Sequence, residues 1–257
     1  MHKLLEMINI NKNIKIDNEI TPLIKDLTFD INCGEALAVI GTSETHMSAL
    51  LYLISGIYNG YEGTVKFHPS LEIDKIHKIC YTCNKNYFFE WRTVYDNICL
   101  FYKINMSGVQ SDDDIEKYIY KTLDKFNLLQ YKDKYPSQLS GSIKNKITLI
   151  ENIMLDPKLL VIDNAFSNID FKTKAELLHI LRKSFLNEEH SILFATGNID
   201  DILILADRVI ILSEPPVTVK KIVDVRSLGC DRTSENIKEN PAYTKFSNCF
   251  INELYNE

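Results

Sequence analysis

The hydrophobic positions of this chain fall into two periods. Near the N-terminus they come in short β-like pieces, LLEMINI (4–10), IKI (14–16) and IKDLTFDI (24–31), with polar residues between them. An Asn-Cys-Gly turn ending at Gly34 leads into the apolar run EALAVI (35–40). That pattern predicts an antiparallel β unit feeding a buried strand. A turn beginning at Gly41 is followed by an apolar, helix-like segment that ends near Gly56, with Gly60 and Gly63 marking further turns. TVKF (64–67) reads as another short strand.

Residues 84–140 are more polar. Apolar positions at helical spacing, as over Asp113–Phe126, predict a helical subdomain of about 85–140 set between strands. LLVID (159–163) is branched and leucine-rich and ends in an acid, as suits a parallel strand buried on both faces. A helix over 172–185, a strand SILFAT (191–196), a helix over 200–206 and a strand RVIILS (208–213) follow. This alternation predicts an α/β fold with a mostly parallel sheet core. Pro215-Pro216 is expected to close the compact part, and residues 226–257 read as a polar tail, mostly helical in pattern and broken at Pro241. The expected division is therefore a domain of residues 1–225 and a tail of 226–257. There is no internal repeat.

Composition narrows the function. The chain has 257 residues, 45% of them hydrophobic, enough for one sizeable core. Its net charge is −6, which argues against nucleic acid or an anionic membrane as a direct partner. The N-terminus lacks the apolar core and cleavage site of a signal peptide, and no apolar run approaches the ~20 residues that span a bilayer. A cytoplasmic chain is the expectation. Of six cysteines, Cys80 and Cys83 form a CxxC. They fall in a strand-like segment, and no second CxxC or HxxxH completes a metal site, so they read as small hydrophobes in a reduced protein.

The chemistry lies in the order of local patterns. GTSETHMSALLYLISGIYNGYEGTV, FFEWRTVYDNI, YPSQLSGSIKNKITLIENIMLDPKLLVIDNAFSNID and SILFATGNIDDILILADRVIILSEPP occur in that sequence along the chain. Together they resemble the ATP-binding subunit of ABC transporters, and FFEWRTVYDNI is most similar to the nitrate/sulfonate/taurine importer class. The resemblance covers residues 3–250. It implies a P-loop NTPase-like core, ATP and Mg²⁺ as cofactors, a membrane permease and a second ATP-binding subunit as partners, and a place on the inner face of the cell membrane through the permease.

Carried over residue by residue, the resemblance shows departures. The family's phosphate loop is GxxGxGKST, in which glycines let backbone amides close on phosphate and the lysine neutralises it. Gly41 and Ser43 fit. Glu44 and His46 replace the two later glycines, and Met47 replaces the lysine. His46 would offer a cation only when protonated. Loss of the lysine removes a charge-assisted contact worth roughly 1.5–3 kcal/mol. Ser48 keeps the hydroxyl that the family uses on Mg²⁺, and Ala49 replaces the threonine after it. Asp163 matches the aspartate that holds Mg²⁺ through water; read without the family, it is a polar strand end. Asn164 stands where the catalytic glutamate belongs, and an amide cannot supply general-base help of roughly 10²–10⁴-fold.

Asn84 takes the place of the Mg²⁺-sensing glutamine, Gly197 that of the γ-phosphate histidine, and Ile14 that of the adenine-stacking aromatic. In the signature motif, Ser140 and Gly141 survive while Ser142 replaces the second glycine, and Asp170 is kept in the loop that follows strand 159–163. No catalytic residue is therefore assigned. Gly41, Ser43, His46, Met47, Ser48, Asn84, Asp163, Ser140 and Gly141 are the candidate nucleotide contacts, with Ser48 and Asp163 the candidate Mg²⁺ ligands. Phe88, Phe89, Trp91 and Arg92 match the family's permease-contact region, and together with Tyr87 they have the composition of an interaction hot spot. The same aromatics also suit packing within the helical subdomain. Three functions remain open: an importer subunit with a degenerate site, a nucleotide-free structural or regulatory pseudo-ATPase, and a working ATPase with displaced groups.

Overall fold

A computed structural model describes residues 2–16, 19–72, 78–106, 111–166, 169–228, 243, 244, 247 and 248. The chain begins with two long antiparallel strands, β1 (Lys3–Ile16) and β2 (Glu19–Asn32), and β4 (Glu62–Phe67) adds to the other edge of β1. The pieces 4–10 and 14–16 are thus one strand rather than two. Register shifts between Met7 and Asn13 break the alternation of side chains, which is why the sequence pattern appears interrupted there.

The main sheet has the order β5-β6-β7-β3-β8-β9. Its strands are β3 (Ala36–Ile40), β5 (Ile79–Cys83), β6 (Leu159–Asp163), β7 (Ser191–Ala195), β8 (Arg208–Leu212) and β9 (Val219–Asp224). All neighbours are parallel except β8 and β9. The fold is α/β, with a mostly parallel core, as the alternation predicts. Pro215-Pro216 does not close the compact part, because the chain turns after it and returns as β9. The proline pair makes the turn instead of ending the sheet.

Strands β3, β6 and β7 lie inside the sheet, and every residue of each is buried. Their alternate side chains feed two different cores. Ala36, Ala38, Ile40, Leu160 and Ile162 face the helical side. Leu37, Val39, Leu159 and Val161 face the antiparallel sheet and helix α1 (Glu44–Ile54). Both faces are covered, so the runs read as continuously apolar. A fully buried leucine or isoleucine contributes about 1.5–3 kcal/mol, so these strands anchor the molecule.

The short helix α2 (Pro69–Glu72) follows β4. Between β5 and β6 come α3 (Val94–Asn105), α4 (Asp112–Lys125) and α5 (Gly141–Met154). These are the helices expected over 85–140, extended by the one after the signature motif. Helices α6 (Phe171–Ser184) and α7 (Ile199–Leu205) link the later strands. Thr93, Ser111, Ser140 and Asp170 each cap a helix, accepting a hydrogen bond from a backbone N–H in the first turn. Most of the tail, 229–257, lies outside the described residues. The part described includes Tyr243, which packs against the helical-side core. Among the described residues no helix is long and apolar enough to cross a membrane.

Candidate functional site

The phosphate-loop segment lies between β3 and α1. Only Gly41, Thr42 and Ser43 separate the last residue of the strand from the first of the helix. Glu44, Thr45 and His46 already belong to the first turn of α1. The positions that carry glycine in the family are therefore helical here, and an L side chain suits them. Ser43 precedes the helix without a side-chain cap, and Glu44 places a carboxylate in the first turn, where the helix dipole favours it. Gly41 is held close: a β-carbon there would come within 3.4 Å of the Leu212 Cβ and 3.7 Å of the Met47 Cγ.

Met47 is 2% exposed and belongs to the core under α1. Its side chain is sealed among apolar residues, with its Cγ 3.7 Å from where a β-carbon on Gly41 would lie, and it carries no charge to offer a phosphate. His46 is half-buried, one residue before it.

Ser48 and Asp163 are brought together, although 115 residues separate them. The Ser48 Oγ donates to the Asp163 Oδ1 at 2.9 Å. Tyr81, on neighbouring β5, donates its hydroxyl to the Asp163 Oδ2 at 2.6 Å. Parallel pairing of β5 with β6, with Tyr81 opposite Val161, sets that reach. Burial, followed by hydrogen bonding to Asp163 and Tyr52, pushes the Tyr81 phenol far above its ordinary range. It remains a proton donor at any physiological pH. Both oxygens of the Asp163 carboxylate thus already hold a hydroxyl donor. Sequence reasoning missed Tyr81, and a polar ring in an otherwise small and apolar strand was the signal for it.

Other positions complete the picture. Asn164 follows β6 in a left-handed backbone conformation, φ 50°, which asparagine tolerates. Gly197 is exposed, and a β-carbon added there meets nothing within 4 Å. Asn84 is exposed just beyond β5. Ile14 is half-buried and packs against the second core. It lines a cleft of about 350 Å³ with Leu23, Glu44, Thr45, Ser48, Ala49, Tyr52 and Tyr58. No lysine or arginine is among these residues. A Mg²⁺-triphosphate therefore does not fit in the family's manner: the neutralising cation is replaced by a buried methionine, and the one ionised group lining the cleft, Glu44, is an anion.

The signature segment is separate from this cleft. The Ser140 Oγ accepts from the Ile143 N–H at 3.3 Å and lies 3.0 Å from the Ser142 Oγ. Ser140 and Gly141 are both exposed, and a β-carbon on Gly141 would meet nothing.

The aromatic segment divides in two. Phe88 packs against the helical-side core, whereas Tyr87 is 83%, Trp91 74% and Phe89 42% exposed. Phe89 and Trp91 meet edge to face at 5.3 Å. Arg92 is half-buried beside them. The loop is held by Asn97, itself 4% exposed, on α3. Its Oδ1 accepts from the Phe89 N–H at 2.8 Å, and its Nδ2 contacts the carbonyls of Phe89, Arg92 and Thr93 at 3.2, 3.2 and 2.9 Å. Asn86 ties the preceding residues to α5 through Asn145 and Thr148. The exposed rings therefore sit on a fixed backbone.

Comparison with known proteins decides the family. The sequence model described as ABC transporter matches residues 24–167, more than half of the chain. The chain belongs to the ABC transporter family. Its fold is that of an ATP-binding cassette. It has 20% identity and a TM-score of 0.74 to the dimeric post-hydrolysis state of the ATP-binding cassette MJ0796 bound to ADP and Pi, with 86% of this chain and 99% of that one covered. For the structure of cbiO1 from Clostridium perfringens, part of the ABC transporter complex cbiONQ, the identity is 19%, the TM-score 0.73, and the coverage 96% and 100%. Among curated ABC relatives, the nitrate import ATP-binding protein NrtD of Synechocystis is 26% identical over 95% of this chain and 92% of its own length. An uncharacterized ABC transporter ATP-binding protein of Bacillus subtilis, YtlC, is 26% identical over 80% and 78%. The sulfate/thiosulfate import ATP-binding protein CysA 1 of Agrobacterium fabrum is 30% identical over 75% of this chain but only 57% of its own length.

Proposed function

We propose that this chain is the ATP-binding-type, energy-coupling subunit of an ABC importer for a small solute, with a site that hydrolyses ATP poorly or not at all. The observation that carries the reading is Met47 in the core at the position of the family's lysine. Asn164 in place of the glutamate and Gly197 in place of the histidine support it. Relatives named for nitrate and sulfate import support the importer class. In this reading the chain lies on the inner face of the membrane, bound to a permease through Phe89, Trp91 and Arg92, while Phe88, also expected there, packs against the helical-side core. It pairs with a second ATP-binding subunit, which Ser140 and Gly141 face.

One observation favours a second reading. Asp163, the candidate Mg²⁺ ligand, has both oxygens occupied by Ser48 and Tyr81. That arrangement suits a nucleotide-free structural or regulatory partner of a competent ATPase subunit. Calorimetric titration of the purified chain with ATP, with and without Mg²⁺, separates the two. Micromolar binding means that the relic loop still holds phosphate and only hydrolysis is lost. No binding up to millimolar ATP means the nucleotide-free reading holds. Steady Mg²⁺-dependent turnover overturns both.

A further inference from the structure

Asp163 is surrounded by hydroxyl groups. It ends β6 and is 6% exposed. The Ser48 Oγ donates to one carboxylate oxygen at 2.9 Å and the Tyr81 hydroxyl to the other at 2.6 Å. Ser48 belongs to α1, and Tyr52 stands one turn further along the same helix. The Tyr52 ring lies 5.4 Å from the Tyr81 ring, with the planes inclined by 49°, and the Tyr52 hydroxyl is within hydrogen-bonding reach of the Tyr81 hydroxyl. Helix α1 and strand β5 thus each contribute a donor to the end of β6. Among the described residues no lysine, arginine or histidine pairs with Asp163.

The reach of Tyr81 follows from the sheet. In the parallel ladder Tyr81 pairs with Val161 and Cys83 with Asp163, so Tyr81 shares a sheet face with Val161 and Asp163, and its long ring spans the offset to the carboxylate. A phenylalanine there would fill the same space and donate nothing. An O–H···O⁻ contact of 2.6 Å is of the short, charge-assisted kind, roughly twice as strong as a neutral hydrogen bond. The two hydroxyls satisfy the buried carboxylate without bringing a positive charge beside it. A divalent ion needs the same oxygens, because magnesium is held by one or two carboxylates while it keeps several of its waters. A hydrated ion therefore competes with Tyr81 for Oδ2 and with Ser48 for Oδ1.

We propose that Tyr81 is a positioning residue that closes the divalent-ion position at Ser48 and Asp163, its phenol holding the Asp163 carboxylate in place of a hydrated ion. The proposal deepens, and rests on, the reading that the site no longer closes on a Mg²⁺-triphosphate. It assigns the loss of the ion to one hydroxyl on β5, separate from Met47, Asn164 and Gly197. The ion position is latent, and removing that hydroxyl reopens it.

The test is titration of the purified full chain with Mn²⁺ alone, followed by electron paramagnetic resonance of the free ion and by the melting temperature. Wild type is expected to show no saturable binding below millimolar Mn²⁺. Tyr81→Phe, which keeps the ring, is expected to bind one ion about tenfold or more tighter than wild type and to melt at a higher temperature when Mn²⁺ is added. That binding disappears in the double variant Tyr81→Phe/Asp163→Asn. Tyr81→Met also removes the hydroxyl, gives the same result, and stands in if the phenylalanine variant does not fold. A tyrosine with a purely structural role would lower the melting temperature when replaced, with no gain in metal affinity, and that result overturns the proposal. So does wild-type binding as tight as that of Tyr81→Phe, or binding in Tyr81→Phe that survives Asp163→Asn. Calorimetric titration of wild type with Mg²⁺-ATP runs in parallel. Micromolar binding there overturns the underlying reading of the site, whereas no such binding together with no metal gain in Tyr81→Phe overturns only the role given to Tyr81.

Discussion

Met47 and Glu44 together determine what the loop after β3 can hold. Met47 is sealed among the apolar residues under α1, while Glu44 stands in solvent at the start of the helix. Replacing Met47 by lysine alone does not restore the family's chemistry, because Asn164 and Gly197 remain. The substitution forces an ammonium group into a site that is 2% exposed. Met47→Lys is expected to cost roughly 3 kcal/mol of stability and to show no Mg²⁺-dependent phosphate release. Thermal melting and a phosphate assay check both, and turnover in that single variant would contradict this account of the site. Glu151 is the second telling residue. It is 7% exposed on α5, and burial pushes its carboxyl from 4.5 up to about 8. Between those values the folded chain keeps a proton that the unfolded chain releases, so this group makes stability fall as pH rises. Glu151→Gln should flatten that slope and raise stability at pH 8 by roughly 2 kcal/mol. Melting curves of both proteins at pH 5.5 and pH 8 measure it, and parallel slopes would refute the assignment.

Elements differ in how much of them the sequence reveals. Strands β3, β6 and β7 are legible because both of their faces are apolar, and α4 because its apolar positions recur at helical spacing. Strand β9 is not, because it follows two prolines that read as an end and because half of VKKIVD is charged. The position of Asp163 at a strand end is readable from LLVID. Its partner Tyr81 is not, since the contact depends on the register of β5 against β6, whose contacting residues lie 82 positions apart in the chain. The burial of Met47 is equally invisible, because a helix-phase argument needs the helix start, and the sequence pattern gives only a turn beginning at Gly41 and an apolar helical segment after it. The loop after β5 shows the same limit. Its aromatics are plain in the sequence, but the Asn97 side chain that fixes their backbone is not. Asn97→Ala leaves those backbone groups without their partner and should cost roughly 1–3 kcal/mol of stability. Trp91→Ala, 74% exposed, should leave the melting temperature unchanged while weakening co-purification with the permease. Unchanged capture of the permease by Trp91→Ala would remove that surface from the account.

At the scale of the whole molecule, the proposed reading separates the cassette scaffold from the cassette chemistry. The two cores, the parallel sheet and the helices around the signature segment are those of an ABC cassette, and the family match and structural likeness agree on it. The residues that would neutralise, activate and sense a γ-phosphate are absent from their places. Their positions hold a buried methionine, an amide and an exposed glycine. The scaffold's stability does not depend on the lost groups, since the interior strands and their apolar faces supply it. On the proposed reading, such a chain would hold a partner and a permease in place while another subunit performs the hydrolysis. The most direct test is steady-state phosphate release by the purified wild-type chain with Mg²⁺ and millimolar ATP. Release no faster than the protein-free background is the expected result. Sustained Mg²⁺-dependent release that scales with protein concentration and persists through repurification would contradict the central claim.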